Sequence, residues 1–325
     1  MSSAPRVSVV VPLYNKARYI RRCVDSILEQ TFADFEAIVI DDGSTDEGPQ
    51  IVKAYADPRI RLLRQRNAGP GGARNRAAKE AQGELIAFLD ADDAWDPVYL
   101  AESVRLMERF GEEVVSLTWA MMELPAGFST AQRWKKIGIP EGRFRTAGPA
   151  QAELVGGMLS NMLPSSTVVR REVFEQVGGF YEKDRCLFAE DAYLWLKILL
   201  RFDVAFCARP LSLHYLDASE LSMNVKGVRP VEPFLTDTEG LYRTCPESQT
   251  ELLRRVLALR ACKTASVYGY FGQYQRSRDL MKRFVTLSDW RLSWFFPALV
   301  GCTPAAKWLG ALARLARVNL RATHA

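Results

Sequence analysis

Residues 6–11 read Arg-Val-Ser-Val-Val-Val, a β-branched run without polar alternation, and a strand of that composition has to be covered on both faces. Such strands belong to parallel sheets joined by crossover helices. Working outward, Ala17–Gln30 carries Tyr19, Ile20, Cys23, Val24, Ile27 and Leu28 at helical spacing, so a helix is expected there. Phe35–Ile40, Arg59–Leu63, Leu85–Leu89 and Val114–Met121 read as further strands, with helices over Gln50–Ala56 and Gly72–Ala81. Asp96-Pro97 predicts an N-cap and a first-turn proline for a helix running to about Phe110. The expectation is an α/β domain around a mostly parallel sheet.

Downstream the signal changes. Residues 122–165 contain glycine, proline and tryptophan without a sustained period, and a loop-rich insert is expected. Helical spacing returns at Arg171–Val177 and Asp191–Phe202, and residues 246–283 read as helix upon helix. These patterns predict an α/β domain over residues 1–225 and an α-helical region over 226–325.

The chain has 325 residues, 48% of them hydrophobic and 25% charged, which is enough to bury a core and excludes a disordered or collagen-like chain. No window approaches the roughly 18–20 apolar residues of a membrane-spanning helix, and no apolar signal core precedes the first strand. A cytoplasmic protein is the expectation. Six cysteines lie far apart without a C-x-x-C pair, so no zinc or redox motif is suggested and buried free thiols are expected. The net charge of +5 is unevenly spread. Residues 251–325 hold 13 Lys/Arg against 3 Asp/Glu, leaving the first 250 residues at net −5.

Ligands gather at the carboxyl ends of strands in an open parallel sheet, and here those ends are acidic. One strand runs into Asp41-Asp42-Gly43-Ser44, another into Asp90-Ala91-Asp92-Asp93. Carboxylates converging there repel one another unless a cation resides among them, and Mg²⁺ or Mn²⁺ is the simplest such cation. Taken singly, each acidic cluster is equally a good turn or a helix cap. Gly69-Pro70-Gly71-Gly72 opens a helix and could offer backbone N–H groups to phosphate, or serve only as a flexible entry. It follows the wrong strand for a dinucleotide fold and lacks the Gly-Lys-Ser/Thr of a P-loop.

Taken together, the segments Val7–Asn15, Ser26–Phe32, Val39–Asp46, Gly71–Arg76, Phe88–Asp93 and Glu190-Asp191 resemble glycosyltransferase family 2. They stand in that family's order and spacing over about residues 6–220. The resemblance implies a GT-A fold, a Rossmann-like sheet flanked by helices, with a helical C-terminal region. It implies that Pro12 and Tyr14 pack around a nucleotide base and that Asp42 accepts a hydrogen bond from a ring N–H. Arg74 would lie near the nucleotide, Asp92 and Asp93 would match the DXD metal motif for Mn²⁺ or Mg²⁺, and Asp191 would be the catalytic base. The implied reaction is metal-dependent, inverting transfer of one sugar from a UDP or dTDP donor to a glycan or lipid-linked hydroxyl, in cell-surface polysaccharide synthesis.

Two features depart from the family pattern. His214 cannot be matched to the family's Tyr-Arg-x-His stretch and is expected to be a hydrogen-bonded histidine near a strand end. The Q-x-x-R-W signature of processive synthases is missing, which favours single addition. Nucleotidyl transfer to a sugar phosphate and an inactive scaffold remain as alternatives, although Pro12-Leu13-Tyr14 stands where nucleotidyltransferases carry a glycine-rich loop.

Over Pro304–Arg321, a helical projection places Trp308, Leu309, Leu312, Leu315 and Leu320 opposite Lys307, Arg314, Arg317 and Arg321. With Trp290, Trp294, Phe295 and Phe296 upstream, this end suits either docking on the catalytic domain or peripheral membrane contact through 290–321. Nucleic-acid binding is not expected, since no nucleic-acid module accompanies the charge.

Overall fold

The computed structural model describes residues 4–216, 218 and 228–306. Residues 307–321 of the expected amphipathic helix lie outside the described residues. The described residues fall into two compact units, one within 1–146 and 157–224, the other within 147–156 and 225–325.

The strands are β1 (Val7–Leu13), β2 (Phe35–Asp41), β3 (Ile60–Arg64), β4 (Leu85–Phe88), β5 (Ala94–Trp95), β6 (Val114–Leu124), β7 (Phe128–Ser129), β8 (Gly142–Phe144), β9 (Thr167–Arg170) and β10 (Asp203–Tyr215). The helices up to residue 201 are α1 (Ile20–Leu28), α2 (Gly48–Lys53), α3 (Gly69–Glu80), α4 (Tyr99–Phe110), α5 (Thr130–Ile137), α6 (Ala152–Leu159), α7 (Arg171–Val177) and α8 (Glu190–Arg201). The sheet order is β3-β2-β1-β4-β9-β6-β10-β5, with β7 on β6 and β8 on β10. Strands β3, β2, β1 and β4 are mutually parallel, as are β6 and β10, while β9 runs antiparallel between β4 and β6. The expected α/β class holds.

Both faces of β1 are covered, as its composition requires. On one face, Val7, Val9 and Val11 pack with Cys23, Val24 and Ile27 of α1 and with Leu100, Val104 and Met107 of α4, where Trp95 stacks on Tyr99 at 4.2 Å. On the other side of the sheet Phe88, Phe174, Phe180 and Trp195 form an aromatic cluster with edge-on contacts at 5.0–6.4 Å. Such rings supply large apolar area in a fixed mutual geometry.

Three expectations need correction. The segment 122–165 is not a loop-rich insert: β7, α5, β8 and α6 lie in it, and Trp134 is buried edge-on against Phe206. Elements of two to eight residues are too short to show a period, which is why the pattern was silent. Helix α4 starts at Tyr99, two residues later than Asp96-Pro97 suggests, and Asp96 accepts instead from the Val98 N–H at 3.1 Å. Of the six free cysteines, Cys23 and Cys262 are buried and the other four are only partly so.

The second unit is helical. It contains α9 (Pro233–Thr236), α10 (Glu239–Thr244), α11 (Thr250–Tyr270), α12 (Tyr274–Phe284) and α13 (Phe295–Gly301), packed around Leu252, Leu253, Val256, Leu257 and Ala261 of α11. Inside it the buried Arg260 pairs with Glu232, and Arg254 holds Asp289 through two 3.0 Å bonds. No described helix is long and apolar enough to cross a membrane.

Close approach at Gly83 ties the β1–β4 register together: its N–H donates to Ser8 Oγ at 2.8 Å, and a Cβ there would lie 2.6 Å from Ser8 N and 2.7 Å from the Val7 carbonyl carbon. Gly83→Ala therefore has to push backbone from backbone, which costs about 1–3 kcal/mol. Denaturant unfolding of the variant should show that loss, and an unchanged midpoint would mean that the contact does not hold in solution.

Candidate active site

The carboxyl ends of β1, β2 and β4 lie side by side, and the loops that leave them carry the residues singled out from sequence. Pro12 is half-buried in β1, paired with Ile40, and Tyr14 just beyond it is 48% exposed, an aromatic face open to a ligand. Asn15 takes a left-handed backbone (φ 51°), and its side chain accepts from the Thr45 N–H at 2.8 Å while its own N–H donates to Ser44 Oγ at 3.1 Å. Asp46 then accepts from the Ala17 N–H at 2.8 Å, and Asp41 caps the Ser44 N–H at 2.7 Å. Ser44, Thr45 and Asp46 thus stitch the two loops together while Asp41 fixes Ser44 within its own loop, leaving Asp42 as the member with other partners.

Asp42 is buried, and its carboxylate receives Gln65 Nε2 and the Ala68 N–H at 2.8 Å on Oδ1 and the Gly69 N–H at 3.0 Å on Oδ2. A carboxylate has about four lone-pair sites, so one acceptor position remains, on Oδ2. The glycine-rich entry of α3 does not present all its amides to a phosphate, since Ala68 and Gly69 spend theirs on Asp42. Its glycines serve packing. At Gly71 a Cβ would lie 2.6 Å from the Tyr181 carbonyl oxygen, and Gly69 sits at φ 82°.

Helix α3 carries the pair that organises the site. Asn75 clasps Phe180 by both backbone groups, donating to its oxygen at 2.9 Å and accepting from its N–H at 2.8 Å. Arg74 is only 4% exposed; its Nη2 lies 2.5 Å from Asp90 Oδ1 and its Nη1 2.9 Å from Glu190 Oε1. Burial alone would weaken its hold on its proton, but Asp90 and Glu190 reverse this and keep Arg74 charged above the ordinary guanidinium range. Both terminal nitrogens of Arg74 are therefore engaged by carboxylates within the protein.

In the acid loop, the three aspartates differ. Asp90 is half-buried, with its N–H on Ser165 Oγ at 3.1 Å. Asp92 is half-buried and ion-pairs with Lys16 at 2.9 Å, and Arg22, stacked on the Tyr215 ring, donates to the Asp92 main-chain oxygen at 2.5 Å. Burial and then Asp90 raise the proton affinity of Asp92, against the opposing ammonium of Lys16. Asp93 is buried outright, and burial, followed by Asp90 and Asp92, pushes its carboxyl well above the usual range, although the Ser165 hydroxyl and the Tyr215 N–H bond to it.

Asp191 stands in the first turn of α8, after Ala189, whose left-handed φ of 58° is a strained conformation for a residue with a Cβ. It accepts from the Ala192 N–H at 2.8 Å. Burial raises its carboxyl to about 7, Glu190 adds to the shift, and Arg74 opposes it. A carboxylate poised near neutrality suits proton abstraction. Of the residues singled out from sequence, Arg74, Asp92, Asp93 and Asp191 share one charged cluster, and Pro12, Tyr14 and Asp42 flank it on the neighbouring strand ends. His214 is half-buried in β10 opposite Glu123, next in the chain to Tyr215, whose N–H bonds to Asp93.

The cluster holds the side chains of Asp90, Asp92, Asp93, Glu190 and Asp191 against the cations of Arg74 and Lys16, an acidic excess that a divalent ion would relieve. Among the described residues no three His, Cys, Asp or Glu side chains converge on one point to cage an ion. The donor set therefore fits Mn²⁺ or Mg²⁺ held by one or two carboxylates, with the remaining oxygens supplied by a ligand. Asp92, partly accessible, is better placed for this than the enclosed Asp93. Lys16, Arg22, Asp90, Ser165 and Glu190 were not singled out as site residues, because the partners that give them meaning lie between 16 and 116 positions away.

Comparison with known proteins bears on the family and the fold. The model of glycosyl transferase family 2 matches residues 8–178, just over half of the chain. An uncharacterised glycosyltransferase of Escherichia coli K12, YibD, is 37% identical over 152 residues, which make up 46% of this chain and 42% of that protein. The chain thus spans less than half the length of this and other curated relatives it matches. Among solved structures, S. aureus TarS 1–349 in complex with UDP-GlcNAc superposes with a TM-score of 0.64 over 96% of this chain and 92% of that one, at 18% identity. The mannosyltransferase PcManGT of Pyrobaculum calidifontis, solved with GDP-Man and Mn²⁺, gives 0.57 over 96% and 87%, also at 18% identity. At such identities the likeness is one of fold, and with the family match it makes the chain a member of glycosyl transferase family 2 built on the GT-A fold.

Proposed function

We propose that the first unit transfers a single sugar, with inversion, from a nucleoside-diphosphate donor to a hydroxyl of a glycan or lipid-linked acceptor, aided by Mn²⁺ or Mg²⁺. One observation carries this reading: Arg74 bridges the acid loop to Glu190, and so sets a poised carboxylate, Asp191, beside an acid cluster in want of a cation.

Tyr14 and Pro12 offer a surface to the base, and the free lone pair of Asp42 can take a ring N–H of uracil or thymine, which favours UDP or dTDP. Guanine also carries N–H donors, and the two structural neighbours were solved one with a uridine and the other with a guanosine donor. Asp92, with Asp93 behind it, would hold the ion, whose contribution when bound is to stabilise the negative charge on the departing diphosphate. Asp191 takes the proton of the acceptor hydroxyl while that oxygen forms its bond to the anomeric carbon. The bond from that carbon to the phosphate oxygen breaks on the opposite side, and its electron pair leaves with the nucleoside diphosphate. Arg74 braces Asp90 and Glu190 from within, and its charge keeps Asp191 from rising further.

In the second unit, Trp290, Trp294, Phe296 and Leu299 are exposed around α13, and Leu287 is 87% exposed. With the basic excess of residues 251–325, this face suits the headgroup region of an anionic membrane, where a lipid-linked acceptor would reside.

Four experiments test these statements. Asp191→Asn should abolish release of nucleoside diphosphate from a turned-over donor yet keep metal-dependent nucleotide binding, and loss of both together would make Asp191 structural. Because the base works ionised, kcat/KM should fall about tenfold per unit as pH drops below about 7. Arg74→Gln, by removing the opposing charge, should move that acid limb to higher pH, with Arg74→Lys restoring it in part; an unmoved limb would sink the bracing role. Finally, a Trp290→Ser/Phe296→Ser variant should float less with anionic vesicles than the parent, and equal flotation would remove the membrane reading.

A further inference from the structure

We propose that Lys16 is the resident counter-cation of the acid loop, its ammonium holding the Asp92 carboxylate until a divalent ion displaces it. The inference rests on the reading above that Asp92 receives such an ion. Lys16 Nζ lies 2.9 Å from Asp92 Oδ2 and donates to the Ala218 carbonyl at 3.0 Å. Among the described residues it is the one side-chain cation on that carboxylate, since Arg22 spends its guanidinium on the Asp92 main-chain oxygen and the Tyr215 ring.

The position of Lys16 is imposed rather than incidental. Its chain neighbours are pinned on both sides: Asn15 is bonded to Ser44 and Thr45, and the Ala17 N–H is held by Asp46. The left-handed turn at Asn15 then delivers the side chain toward the end of β4. The Lys16 and Asp92 side chains are 16% and 17% exposed, enclosed enough for the pair to matter and open enough for an ion from solvent to reach it. An ammonium and a divalent ion cannot both occupy one carboxylate oxygen at contact distance, because like charges that close repel strongly in a poorly screened site. Lys16 holds Oδ2 and not Oδ1, yet the same repulsion acts on an ion approaching either oxygen, so ion entry favours release of Lys16 from Asp92. The lysine meanwhile keeps the loop compensated and in register while no ion is bound.

The test uses the full chain and Mn²⁺ alone, with free Mn²⁺ read by its paramagnetic resonance signal. Lys16→Gln keeps the length and removes the charge, and should bind Mn²⁺ about tenfold more tightly than the parent, while Lys16→Arg should bind like the parent. Equal or weaker binding by a folded Lys16→Gln protein, as checked by thermal melting, overturns the proposal. Should that variant not fold, the unaltered protein still decides: saturating Mn²⁺ should raise acylation of Lys16 Nζ several-fold, read by peptide mass, and unchanged reactivity overturns it. Binding of Mn²⁺ that is indifferent to Lys16 sinks this inference alone, whereas no Mn²⁺ binding with or without UDP sinks the metal-dependent reading as well.

Discussion

The site depends on one buried cation. Arg74 reaches Asp90 with one terminal nitrogen and Glu190 with the other, and those two carboxylates lie 100 residues apart in the chain. A buried guanidinium without partners is costly, and so is a buried carboxylate, so each end of the bridge requires the other. The acid loop after β4 and the first turn of α8 are thereby held in a single arrangement. Phe180 under the guanidinium, itself clasped by Asn75, leaves that arrangement little room to shift.

From this follows the unequal behaviour of the carboxyls. Asp90 and Glu190 are compensated by Arg74, and Asp92 by Lys16, whereas Asp93 and Asp191 face burial and like-charged neighbours. The same residue type thus sits ion-paired, partly open or shifted toward the protonated form according to its surroundings. Asp93, lying deepest and bonded to Ser165 and Tyr215, offers no open edge to a ligand.

Much of the resemblance to the family proves to be scaffold. Ser26 Oγ accepts from the Trp95 N–H, and Gln30 pins both Asp96 and Leu100, so the Ser26–Phe32 stretch fastens α1 to the start of α4. Asn15, Ser44, Thr45 and Asp46 fasten the β1 and β2 loops. These residues were legible as a pattern, but their work was not, because a hydrogen-bond partner some 30 or 70 positions away leaves no periodic trace. Strand β10 was missed for a local reason. Register shifts around Pro210 interrupt its ladder against β6, and a proline with a bulge breaks the alternation that marks a strand.

By itself the sequence determined the α/β class, the run of buried strands and the acidic character of their ends. Those features rest on local composition and spacing: a β-branched run must be covered, and a turn after it accepts Asp and Gly. Only the tertiary structure decided which acid is paired, which is open and which is enclosed. Accessibility, burial and opposing charge arise from side chains brought together across the fold. Lys16 on Asp92 and Arg74 between Asp90 and Glu190 are contacts that no stretch of chain contains.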